Sequence, residues 1–151
     1  MTVAVRAYQG RFLRSQASEV KLVVNVDGGS RGNPGPAAIG VVVAEPGGEV
    51  VDQVAEAIGV ATNNVAEYRA LLRGLERARE LGATEVEIVN DSELVARQLT
   101  GRYKVKHPAM RPLYLEAMAA LRPFERWKIR TVPRALNARA DALVNEALDA
   151  A

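Results

Sequence analysis

Four acids, Asp27, Glu67, Asp91 and Asp141, stand where a carboxylate needs a reason. Asp27 closes Lys21–Asp27, a short run rich in Val and Leu that reads as a buried strand. Asp91 follows directly on a second such run, Glu85–Asn90. Glu67 shares a helical stripe with Ala70, Leu71, Gly74, Leu75 and Ala78, so it is an acid in the first turn of a face that should meet a sheet. Arg69, Arg73, Glu76, Arg77 and Glu80 mark the solvent side of that helix. Asp141 aligns with Val144 and Leu148 at the edge of an apolar arc that includes Ala140, Leu143 and Ala147. An unpartnered buried carboxylate is costly. No Lys or Arg is committed to these four, and Arg139 points to another side of its helix. Divalent cations held by oxygen ligands are the economical explanation. With no Cys and one His, Mg²⁺ or Mn²⁺ fits better than Zn²⁺. The competing reading for any single acid is a helix cap or dipole partner. Four acids so placed make that reading weaker.

The elements that must position them follow from pattern and punctuation. Strands are expected at Lys21–Asp27, Ala37–Glu45 and about Glu49–Ile58, with a turn-rich loop from Gly28 to Pro36 and a hairpin turn at Pro46-Gly47-Gly48. They should form an antiparallel meander. A helix from about Asn64 to Leu81, closed by Gly82, leads to a strand at Glu85–Asn90. A short helix at Glu93–Leu99 takes Ser92 as its N-cap candidate. A mixed helical stretch, His107–Leu121, a strand, Trp127–Val132, and a terminal helix, Asn137–Ala150, complete the chain. This order implies an α/β fold with a mixed five-stranded sheet and helices packed on it. The first and fourth strands run parallel through a right-handed crossover. If they are neighbours, Asp27 and Asp91 meet at the carboxyl edge, where open sheets hold ligands.

With 48% hydrophobic and 25% charged residues over 151 positions, one globular domain is expected and bulk disorder is excluded. No apolar run is long enough for a membrane helix, and nothing resembles a secretory leader, so a cytoplasmic protein without a membrane partner is expected. Residues 1–19 lack periodicity and read as an N-terminal extension. The domain proper is assigned to residues 20–151. The net charge of +2 is unevenly spread. Residues 45–96 carry eleven acidic and four basic side chains, whereas residues 97–139 carry eleven basic and two acidic. The second segment is a candidate polyanion surface, with a solvated basic face as the plain alternative.

Four segments, VNVDGGSRGNPGPAAIG, TNNVAEYRALLRGLERA, VNDSELVARQLTGRYKVKHP and VPRALNARADALVNEAL, resemble type 1 ribonuclease H over about residues 20–150. The resemblance implies the ribonuclease H fold, with strand order 3-2-1-4-5 and helices on both faces. It implies a four-carboxylate metal site at Asp27, Glu67, Asp91 and Asp141, holding two Mg²⁺ with Mn²⁺ as substitute. Asp27 would be the bridging ligand. The implied reaction is endonucleolytic hydrolysis of RNA in an RNA–DNA hybrid by two-metal-ion catalysis, leaving 5′-phosphate and 3′-hydroxyl ends. By the same resemblance Gly28, Gly29, Ser30, Gly32 and Asn33 line the RNA strand. Asn63 and Asn64, whose amides both donate and accept, suit sugar and base-edge contacts. Asn137 matches a further nucleic-acid contact, with N-capping as the alternative.

The chain also departs from that pattern. Arg134 stands where many members carry a mobile His, and an arginine cannot serve as a general base. It is expected to bind phosphate, order the water's surroundings or speed release. The full basic protrusion is absent. Lys104 and Lys106, alternating with Tyr103 and Val105, form a compact phosphate track in its place. Some short members also cut double-stranded RNA, so that duplex is a second expected partner, and a monomer is expected. Two other classes remain. A non-cleaving nucleic-acid-binding module would show a broken carboxylate set. A related nuclease of the same superfold, acting on double-stranded RNA or DNA, would lack the DGGSRGNPGP and TNNVAEY pair.

Overall fold

The structure, a computed structural model, describes residues 19–151. Strand β1 (Lys21–Ser30) is central. It pairs antiparallel with β2 (Gly35–Ala44) and parallel with β4 (Glu85–Asn90). The edges are β3 (Val50–Ala61), antiparallel to β2, and β5 (Arg126–Thr131), parallel to β4. The order β3-β2-β1-β4-β5 is the mixed sheet expected.

Helix α1 (Asn63–Glu80) lies on β1 and β2, with α2 (Glu93–Leu99) and α3 (Arg111–Leu121) beside it. Helix α4 (Ala138–Ala150) packs on β2, β3 and β1. Alternate residues Leu22, Val24 and Val26 of β1 join Tyr68, Leu71 and Leu75 of α1 in the main core. A smaller cluster holds Ala38 of β2 with Val144, Ala147 and Leu148 of α4. Tyr68, absent from the expected stripe, is fully buried, and its hydroxyl donates to Gln98 Oε1 at 2.5 Å. That bond satisfies a phenol that would otherwise be costly to bury. Gly74 does what its place in the stripe implies: a Cβ there would stand 2.7 Å from Val24 Cγ1.

Several boundaries differ from those expected. β1 continues past Asp27 to Ser30, because Gly28, Gly29 and Ser30 pair with Ile39, Ala38 and Ala37 of β2. The turn is therefore shorter than the loop the residue types suggest. Helix α1 starts at Asn63, capped by Thr62, whose side chain accepts from Val65 N–H at 3.2 Å. Glu67 accordingly sits in the second turn, not the first. Gly82 follows the C-cap Leu81 with φ +89°, as a terminating glycine should. Helix α3 begins only at Arg111, with Pro112 in its first turn, where a missing N–H costs nothing. A 3₁₀ turn, Arg134–Asn137, precedes α4.

Glu19 falls within the expected extension, yet its carboxylate pairs with Arg126 at 2.6 Å, at the base of the sheet. The rest of that extension, with Arg6, Arg11 and Arg14, lies outside the described residues. Across β1, β4 and β5, Glu87 receives Arg130 at 2.9 Å, Lys21 at 3.6 Å and Lys128 at 3.9 Å. The Arg130 hydrogen bond, chiefly, holds the Glu87 carboxyl below its ordinary range.

Candidate active site

Asp27 projects from β1 with 6% exposure, and Asp91 follows β4 on the adjacent parallel strand. The parallel pairing brings the two together, as the topology requires. Glu67 reaches them because α1 sits directly on the strand beside Asp27. A Cβ at Gly28 would lie 2.2 Å from the backbone carbonyl of Ala66, so only glycine permits that approach. The Gly28 N–H then donates to Glu67 Oε1 at 2.6 Å. Carboxylate oxygens of Asp27, Glu67 and Asp91 all lie within 4.8 Å of one another.

This proximity carries an electrostatic cost. Burial, reinforced by Asp91, pushes Asp27 up to about 7 from an ordinary 3.8. Burial and then Asp27 hold Glu67 well above its usual range. Asp91 Oδ2 is buried with no hydrogen-bond partner. Three converging carboxylates, one with an orphaned oxygen, fit a hard divalent cation. The donor set is all oxygen, which suits Mg²⁺ or Mn²⁺ chemistry and not a soft-ligand metal.

Asp141 lines the same cleft from α4 but stands outside the group of three. Arg134 Nη2 donates to its Oδ1 at 3.1 Å, and Asp141 lifts the guanidinium further above its ordinary value. The expectation that no basic residue is committed to the four acids is thus corrected. The 3₁₀ turn before α4, which the sequence pattern does not show, supplies the partner.

The cleft has a volume of about 580 Å³. Gly28, Gly29, Ser30, Asn63, Asn64 and Arg134 line it with the four acids. Asn63 Oδ1 accepts from both Ser30 N–H (2.9 Å) and Ser30 Oγ (3.0 Å), which joins the end of β1 to the start of α1. Gly32, Asn33, Asn137, Lys104 and Lys106, all expected to touch nucleic acid, do not line it. Gly32 lies in the turn. Asn33 Oδ1 accepts from Asn63 N–H at 3.0 Å and acts as a clasp. Asn137 is 1% exposed, with Nδ2 donating to Val26 O at 2.9 Å and Oδ1 accepting from Asn25 Nδ2 at 3.1 Å. It also makes no side-chain cap bond. Lys104 and Lys106 are exposed on either side of buried Val105. Between them and Arg97 in sequence, Tyr103 is 45% exposed, with Arg97 5.3 Å over its ring and donating to its hydroxyl at 3.1 Å. Within the basic segment, Arg126 and Arg130 pair with Glu19, Glu85 and Glu87, so part of its charge is offset locally.

Arg31, Ser92 and Asn145 also line the cleft, beyond the residues the sequence pattern marks. Asn145 lies one turn beyond Asp141, a signal the helical spacing carries. Arg31 is held by Asp149 at 2.6 Å, a pairing between distant segments that no local pattern reveals.

Comparison with known proteins agrees with this geometry. The reverse transcriptase-like family matches residues 25–147. The bifunctional protein Rv2228c of Mycobacterium tuberculosis is 52% identical over 133 residues, 87% of this chain, and the chain spans 36% of that protein's length. The crystal structure of RNase H1 from Halobacterium salinarum superposes with a TM-score of 0.85 at 47% identity, covering 87% of this chain and 99% of that one. LC11-RNase H1, solved in complex with an RNA/DNA hybrid, matches with a TM-score of 0.82 at 42% identity, covering 85% of this chain and 97% of the other. The strand order, the converging acids and these likenesses agree: the chain belongs to the type 1 ribonuclease H family.

Proposed function

We propose that this domain hydrolyses the RNA strand of RNA–DNA hybrids with Mg²⁺, for which Mn²⁺ substitutes, acting as a monomer. The observation that carries the reading is the convergence of Asp27, Glu67 and Asp91 within 4.8 Å beside an open cleft, with an unpartnered oxygen on Asp91. The hybrid bound by the 42%-identical LC11-RNase H1 supports the substrate class.

Asp27, Glu67, Asp91 and Asp141 would hold the cations. Bound there, divalent cations lower the pKa of an attacking water and offset charge on the scissile phosphodiester. The water oxygen attacks phosphorus and gives up a proton to solvent, the P–O3′ bond breaks, and the departing oxygen takes up a proton from solvent to give 3′-hydroxyl and 5′-phosphate ends. The chain's own contribution is position. The Gly28 amide fixes Glu67, so its carboxylate stays aimed at Asp27 despite their mutual repulsion. Ser30, Asn63 and Asn64 present donors and acceptors along the cleft, where a 2′-hydroxyl can use both. Arg134 places a permanent positive charge at the opening, suited to a phosphate and not to proton transfer.

The products test the chemistry directly. A labelled hybrid should yield RNA fragments whose 3′ ends a polymerase extends without phosphatase treatment. Fragments that need dephosphorylation first would contradict the proposed bond cleavage.

A further inference from the structure

The site is divided unequally. Asp27, Glu67 and Asp91 converge with no cationic side chain paired to them among the described residues, whereas Asp141 already has a cationic partner in Arg134. That partner is built to let go. The 3₁₀ turn carrying it is fastened by Asn137 to Asn25 and Val26 of β1, so its backbone is fixed. The Arg134 side chain itself is 77% exposed and makes no other hydrogen bond among the described residues. It can therefore swing into solvent without disturbing the turn. Asp141, at 26% side-chain exposure, is reachable from the cleft.

We infer that Arg134 is a built-in counter-ion that competes with a divalent cation for Asp141. This rests on the reading above that the four acids hold cations. The consequence is two classes of cation binding. One uses the preformed group of three acids. The other needs Asp141 and proceeds only in exchange for the Arg134 pair, so it is weaker. Arg134 is thus a positioning residue for Asp141 and tunes how much free metal the complete site demands.

Mn²⁺ binding to the full chain, followed by the resonance signal of free Mn²⁺, tests this without any turnover. The wild type should show a tighter and a weaker class. In Arg134→Gln the weaker class should tighten by about two- to fivefold, the range a largely exposed ion pair can supply, while the tighter class holds. Arg134→Lys, which keeps the charge, should stay close to wild type. Asp141→Asn should remove the weaker class alone. A weaker class that is unchanged or loosened in Arg134→Gln would overturn the inference while leaving the cation site intact. A single class in the wild type would also overturn it. Failure of the wild type to bind Mn²⁺ at all would bring down the cation reading, and this inference with it. Thermal melts of each variant confirm that the comparison is made on folded protein.

Discussion

The N–H of Gly28 donates to Glu67 Oε1 at 2.6 Å, so the residue after one acid on β1 fixes the carboxylate of another on α1. The approach exists because Gly28 has no Cβ to meet Ala66. Gly28→Ala should push α1 off the strand, at about 1–3 kcal/mol in stability for the overpacking. Activity should fall more than stability implies, by about ten- to a hundredfold, because Glu67 loses its support. Circular dichroism, melting and hybrid cleavage measured together check this. Wild-type rates in Gly28→Ala would show that the close approach does not matter.

Glu67→Gln keeps an acceptor for the Gly28 amide and removes the charge. With chelator present its melting temperature should equal or exceed wild type, since one of the crowded carboxylates is gone. Cleavage should fall by at least about a hundredfold. A variant that melts lower than wild type under these conditions would argue that Glu67 is a structural partner and not a strained ligand.

The raised position of Asp27 gives a pH signature. An acid whose folded value lies above its unfolded value binds its proton more tightly when folded. Its contribution to stability is therefore present at low pH and lost as pH rises from about 3.8 to about 7. Compared in chelator, Asp27→Asn and wild type should melt alike at the acid end of that window. Asp27→Asn should melt higher above it. Added Mg²⁺ should close the gap at high pH by stabilising the wild type. Parallel melting curves at every pH would contradict the assignment.

Asn137 reaches β1 and not the cleft. Asn137→Ala leaves Val26 O and Asn25 Nδ2 without this partner and should cost about 1–3 kcal/mol in denaturant unfolding. The affinity for hybrid, compared at one salt concentration on folded protein, should not change. Weaker hybrid binding with unchanged stability would instead make Asn137 a nucleic-acid contact.

Lys104 and Lys106 are exposed and form no ion pair among the described residues. Replacing both with Ala should reduce the slope of log affinity against log salt by about 0.9 for each phosphate that the lysines neutralise. An unaltered slope would place the hybrid elsewhere.

The parts of this fold that rest on local period are legible in the sequence. Leu71 and Leu75 recur on the helical stripe that proves buried, and Val24 and Val26 alternate into the same core. Asp27 and Asp91 can be placed together because β-strand connectivity leaves little choice. What escapes depends on pairings across the chain. Tyr68 meets Gln98, Arg31 meets Asp149, and Arg134 meets Asp141 through a turn with no periodic signature. Asn137 illustrates the limit well. Its position matches a contact implied by the family likeness, and only its burial against β1 shows where the amide goes.

Four carboxylates serving hybrid hydrolysis with divalent metal is the central claim. The most direct measurement offers RNA–DNA hybrid, double-stranded RNA and double-stranded DNA to wild type and Asp27→Asn, with Mg²⁺, with Mn²⁺ and with chelator. Wild type should cut the RNA of the hybrid with either metal, spare the DNA duplex, and stop in chelator, and Asp27→Asn should be inactive throughout. Cleavage of the DNA duplex with the hybrid spared, or full activity in Asp27→Asn, would contradict the account.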